Sequence, residues 1–94
     1  MYLLIDAPND ILFNDFRDRV FLALDTVFGK VDREKIRVFK SDIVGVDRQK
    51  SHIYILLTER RDEIFEKYRG KLRAQIAYET GLSLENIRFC EGRP

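Results

Sequence analysis

Few residues in this 94-residue chain have the type and spacing that chemistry requires. Asp6 and Asp10 stand four positions apart at the end of an apolar run, and a pair of carboxylates placed like this can share a divalent cation in a metal-dependent nuclease. The same pair at the start of a helix is accounted for by capping of the first-turn N–H groups and by the helix dipole. His52, the sole histidine, has no Cys or Ser at a spacing that would make it a catalytic base. Cys90, the sole cysteine, has neither an intramolecular disulfide partner nor a zinc spacing, which fits a reducing compartment. No catalytic residue, metal ligand or cofactor site is therefore assigned, and the chain does not read as an enzyme.

The elements that would position these residues are set by a repeat. The stretch Tyr2 to Gly29 returns 52 residues later as Tyr54 to Gly81, with Tyr2/Tyr54, Leu4/Leu56, Asp10/Asp62, Phe13/Phe65, Arg17/Arg69 and Gly29/Gly81 identical. Unmatched pairs keep their character, as in Leu3/Ile55, Val20/Leu72 and Leu24/Ile76, and an Ile-Arg pair follows each glycine at Ile36-Arg37 and Ile87-Arg88. This predicts an internal βαβ duplication with copies at about 2–39 and 54–90.

Periodicity places the elements. Tyr2 to Asp6 alternates as a strand, with Tyr2, Leu4 and Asp6 on one face and Leu3, Ile5 and Ala7 on the other. A helix follows from about Asn9 to Phe28, capped by Asp6 or Asn9, with Phe13, Phe16, Val20, Leu24 and Val27 as its core stripe. Lys35 to Val46 reads as a second strand, residues 47–50 as a turn, and Ser51 to Thr58 as a third strand whose Ile53, Ile55 and Leu57 face the helices. A second helix spans about Arg61 to Thr80, with Gly70 in its interior, and Glu85 to Cys90 is the last strand. Gly29 and Gly81 each stand where a helix needs a residue of positive φ to stop it. The order βαββαβ predicts an α+β, ferredoxin-like two-layer sandwich occupying residues 1–94 as one domain, with both helices on one sheet face and Phe13, Phe65, Val20, Leu72, Leu24 and Ile76 buried.

The other sheet face would carry Tyr2, Leu4, Arg37, Phe39, His52, Tyr54, Leu56 and Arg88, which is too apolar for a bare surface. Phe21 and Phe28 add a second apolar edge on the first helix, where the second copy has Arg73 and Thr80. Met1-Tyr2-Leu3-Leu4 and Lys50-Ser51-His52-Ile53-Tyr54-Ile55-Leu56 resemble, in degenerate form, the two strand patterns of RRM domains. That resemblance implies stacking of unpaired bases on aromatic side chains of the central strands. Ser51 and Ile53 depart from the small residues of the pattern. The paired βαβ units and the phrase running from Gly81 to Phe89 also resemble the tautomerase superfamily, whose trimeric members use an amino-terminal proline as general base. Tyr2 stands at that position, so this likeness implies no activity. A KH-type backbone clamp needs two glycines three apart, and the chain has no such pair.

Charge and length bound the partners. Net charge is +1, low for a polyanion binder. Residues 1–34 hold four basic and seven acidic side chains, whereas residues 35–94 hold thirteen basic and nine acidic. No apolar run spans a bilayer, and the N-terminus lacks the basic region of a signal peptide, so a cytoplasmic protein without a membrane partner is expected. The leading expectation is a non-enzymatic interaction module that assembles with itself, as a homodimer or larger oligomer, or with a protein partner through the open sheet face. The alternative is a module that binds single-stranded RNA or DNA on the same aromatic residues.

Overall fold

The computed structural model describes residues 1–8, 10–30, 32–42, 50–57 and 62–92, the side chains of 42, 50, 51, 57 and 62–65 excepted. The elements run β1 (Tyr2–Pro8), α1 (Phe13–Phe28), β2 (Ile36–Asp42), β3 (Lys50–Leu57), α2 (Asp62–Thr80) and β4 (Ile87–Cys90), with short 3-10 turns at Arg33–Lys35 and Leu84–Asn86 leading into β2 and β4. The strands form a four-stranded sheet ordered β2-β3-β1-β4 in which every neighbouring pair is antiparallel. β3 runs opposite to both β1 and β2, so those two are parallel and α1 carries the chain past β3 to join them. By the same logic α2 carries it past β1. The fold is α+β, compatible with the ferredoxin-like arrangement.

Alternation decides which side of the sheet is filled. Leu3, Ile5, Ala7, Ile36, Ile53, Ile55 and Ile87 are buried and share one cluster with Phe16, Val20 and Leu24 of α1 and with Leu72 and Ile76 of α2. One cluster drawing alternate residues from all four strands and from both helices requires the helices to lie on the same side. Each large side chain taken from water there contributes ~1.5–3 kcal/mol, so this cluster is the principal source of stability. Arg73, the counterpart of Phe21 in the second copy, ties α2 to the other layer instead. Its guanidinium donates to the Leu84 carbonyl (2.7 Å) and its Nε to the Ile87 carbonyl (2.8 Å).

The strand registers obey one rule. Leu3 and Ile55, equivalent residues of the repeat, lie opposite each other. Around them, Leu3 opposes Phe89 as Ile55 opposes Val38, Tyr2 opposes Cys90 as Tyr54 opposes Phe39, and Leu4 opposes Arg88 as Leu56 opposes Arg37. With an offset of 52 residues between β1 and β3 and of 51 between β2 and β4, the two halves of the sheet pair alike. Each helix is followed by a glycine of positive φ, Gly29 at 79° and Gly81 at 75°. At Gly29 ψ is −178°, a combination essentially reserved for glycine, rather than the compact left-handed turn.

Several boundaries differ from the sequence expectation. α1 begins at Phe13, with Leu12 as its N-cap and no side-chain cap, because β1 continues through Pro8 and the Ile11 N–H turns back to the Pro8 carbonyl at 3.3 Å. Asp6 is a strand residue, not a cap. Phe13, placed by this later start in the first turn, is half-buried; Val20, Leu24, Leu72 and Ile76 are fully buried. β2 reaches Asp42, and the expected continuation to Val46 lies outside the described residues, as do the turn at 47–49, Asn9, Thr58 and the side chain of Phe65. β4 starts at Ile87, since Glu85 belongs to the preceding 3-10 turn. No described helix is long and apolar enough to cross a membrane.

Candidate functional site

The face of the sheet opposite the helices is built by the other half of each strand's alternation. Leu4 lies between Tyr54 on β3 and Arg88 on β4, while Tyr54 lies between Leu4 and Phe39 on β2. These pairings set three aromatic rings in a row. Tyr2 and Tyr54 have centroids 5.8 Å apart with planes inclined by 50°, and Tyr54 and Phe39 stack at 5.0 Å and 20°. His52 meets the Tyr54 ring edge-on at 6.0 Å. Tyr2, Phe39, His52, Tyr54 and Leu56 are all half-buried, so each keeps an accessible part. Leu4, beneath them, is only 8% exposed.

Asp6, His52, Tyr54 and Arg88 form a polar network beside the central ring of this row. Arg88 donates to Asp6 Oδ2 at 3.1 Å, and His52 Nε2 lies 3.1 Å from Asp6 Oδ1. That second contact does not make a hydrogen bond, which leaves Oδ1 buried with no hydrogen-bond donor among the described residues. On its other side the His52 ring shares a hydrogen bond with the Tyr54 hydroxyl, from Nδ1 to Oη, at 3.3 Å. Held by this bond and by the rings on either side, Tyr54 has a fixed orientation. The Phe39 end of the row is cationic, with the Arg37 guanidinium 5.6 Å from the centre of the Phe39 ring. Loss of hydration pushes the Tyr2 phenol above its ordinary pKa, reinforced by its hydrogen bond to Cys90 and partly opposed by Arg88.

All eight residues expected on the open face lie on strands whose alternation and pairing bring them to one side. Asp6 joins them. Its contacts come from residues distant in sequence, although the β1 alternation already put it on the face of Tyr2 and Leu4. The expected second apolar patch on α1 is not a patch. Phe21 is 6% exposed, packed into the core with the Arg33 guanidinium 4.6 Å above its ring, and Phe28 is half-buried, meeting Tyr68 edge-on at 5.4 Å. The 3-10 turn after Gly29 brings Arg33 over Phe21 and supplies the cover. Among the described residues the most exposed large apolar side chains are Leu12, Leu22, Tyr78 and Leu84, none of which is on the sheet face. Comparison of the chain with protein-family models, curated proteins and solved structures finds no match.

Proposed function

We propose that this chain is a ferredoxin-like module, derived by duplication of a βαβ unit, that binds single-stranded nucleic acid on its open sheet face. One observation carries the reading: Tyr2, Tyr54 and Phe39 form a continuous row of partly exposed rings across the two central strands and one outer strand. Every nucleobase has a π-face, so a row of rings held in place accepts successive unpaired bases with little dependence on sequence. Tyr54 is preset by His52, which lowers the ordering cost on binding. Arg37, on the outer strand β2, supplies positive charge that a phosphate backbone needs, and Arg88, on the opposite outer strand, can add a contact in exchange for its pair with Asp6. The test is fluorescence anisotropy with a labelled single-stranded oligouridine, competed by the same sequence as a duplex. Binding to the single strand, with the duplex a poor competitor, is expected; equal competition contradicts base stacking.

Self-association through the same face is a second reading, favoured by the partly exposed Leu56 next to Tyr54 and opposite Arg37. It is weakened by the burial of Leu4, which reduces the apolar surface available to a partner. Light scattering separates the two: an oligomer that Leu56→Glu dissociates supports assembly, and a concentrated monomer excludes it.

A further inference from the structure

Beside the outer edge of β2 lies an open cleft of about 460 Å³ whose walls come from α1, the 3-10 turn before β2, and β2 itself. Arg17, Arg33 and Arg37 line it, with Asp18 the one acidic side chain in the lining. Arg17 is half-buried and makes no hydrogen bond or ion pair with the described residues. Arg33 is held over Phe21 and reaches Asp25 at 3.4 Å, while Arg37 rests on Phe39. Phe21 and Phe39 therefore form a floor over which two of the three guanidiniums lie, Arg33 with the Asp25 carboxylate as a partner and Arg37 on the ring of Phe39. Phe39 and Arg37 also end the aromatic row, so the cleft opens directly onto the face described above.

We infer that this cleft is a phosphate-binding groove, taking the phosphodiester backbone of a single strand as it leaves the aromatic row over the β2 edge. The inference rests on the nucleic-acid reading of the sheet face and gives the bound strand a direction. Bases stack from Tyr2 through Tyr54 to Phe39, and the next phosphates lie against Arg37, Arg17 and Arg33. Guanidiniums suit this role because their planar forks match phosphate oxygens in pairs. Neither Arg17 nor Arg33 is on the sheet face, so the groove contributes charge that stacking does not use.

Salt dependence distinguishes the groove from the face. Each phosphate contact on a single strand contributes about −0.7 to the slope of log K against log salt concentration, so Arg37 and Arg88 alone give about −1.4, and the addition of Arg17 and Arg33 gives about −2.8. The experiment measures oligouridine binding over a salt series for the full chain, for Arg17→Gln/Arg33→Gln, for Arg17→Lys/Arg33→Lys and for Tyr54→Ala, each checked for folding by its thermal midpoint. The Gln pair is expected to bring the slope to about −1.4 and weaken binding about 25-fold at about 0.1 M salt relative to about 1 M, with the Lys pair restoring the slope. A wild-type slope near −1.4 that the Gln pair leaves unchanged overturns the groove and leaves the aromatic face standing. A slope that falls with the Gln pair while Tyr54→Ala binds normally keeps the groove and overturns the face. No binding by the wild-type chain overturns both.

Discussion

Tyr54→Ala removes the central ring of the row, and the consequences for folding and for binding can be worked out separately. Within the protein Tyr54 contacts Tyr2 and Phe39 at 5.8 and 5.0 Å. Such aromatic pairs contribute ~0.5–1.5 kcal/mol each beyond area burial, so the variant loses about 1–3 kcal/mol of ring pairing on top of the area term, within the ~3–5 kcal/mol of a large aromatic truncated to alanine. That is less than the ~5–15 kcal/mol of an ordinary domain, and the fold is retained. On the nucleic-acid side, loss of one stacking platform costs ~1–3 kcal/mol, which is about a 5- to 150-fold weaker Kd. Fluorescence anisotropy with a single-stranded oligouridine reads the affinity, and circular dichroism melting checks the fold. Tyr54→Phe is the matched control, since it keeps the ring and loses only the hydroxyl that bonds with His52; it should bind within about threefold of wild type, stacking being insensitive to the phenol. A folded Tyr54→Ala that binds as tightly as wild type would refute the role given to the aromatic row.

Other substitutions test the scaffold. Leu72→Ala opens a cavity at a fully buried position and should cost ~2–5 kcal/mol in urea unfolding. Gly70→Ala should stabilise the chain by ~0.5–1 kcal/mol, because a methyl group there meets nothing within 4 Å and the helix interior gains a better former; a loss of stability would mean that the position is closely packed. Arg73→Met removes charged donors from the Leu84 and Ile87 carbonyls and should cost ~1.5–3 kcal/mol by the same urea assay. Because the Tyr2 phenol is raised above its ordinary value, its contribution to stability is complete below the unfolded value of about 10 and is lost as pH climbs through the folded value. Alkaline urea titrations should therefore show wild type losing more stability than Tyr2→Phe above about pH 10.

The core and the open face were legible because both follow from local periodicity. Alternation in MYLLIDAP separates Leu3, Ile5 and Ala7 from Tyr2, Leu4 and Asp6 without knowledge of any partner, and helical spacing picks out Val20, Leu24, Leu72 and Ile76. What eluded the sequence was non-local. Asp6 looked like a helix cap because a helix comes next in the chain, whereas its carboxylate lies beside His52 and pairs with Arg88, the latter 82 residues away. Phe21 looked superfluous against its repeat partner Arg73, yet the turn after Gly29 brings Arg33 over its ring. The gathering of Arg17, Arg33 and Arg37 around one cleft likewise depends on how α1 sits beside the edge strand β2.

The most direct measurement of the nucleic-acid face is an NMR titration of isotope-labelled protein with single-stranded oligouridine, followed at backbone amides and aromatic side chains. The account predicts progressive shifts confined to the open face and the adjoining edge, led by the Tyr2, Phe39 and Tyr54 rings and by the amides of β1 and β3, with Leu72 and Ile76 in the core unmoved. Shifts on the outer surfaces of α1 and α2 with those rings unchanged, or no shifts at saturating oligonucleotide, would contradict it.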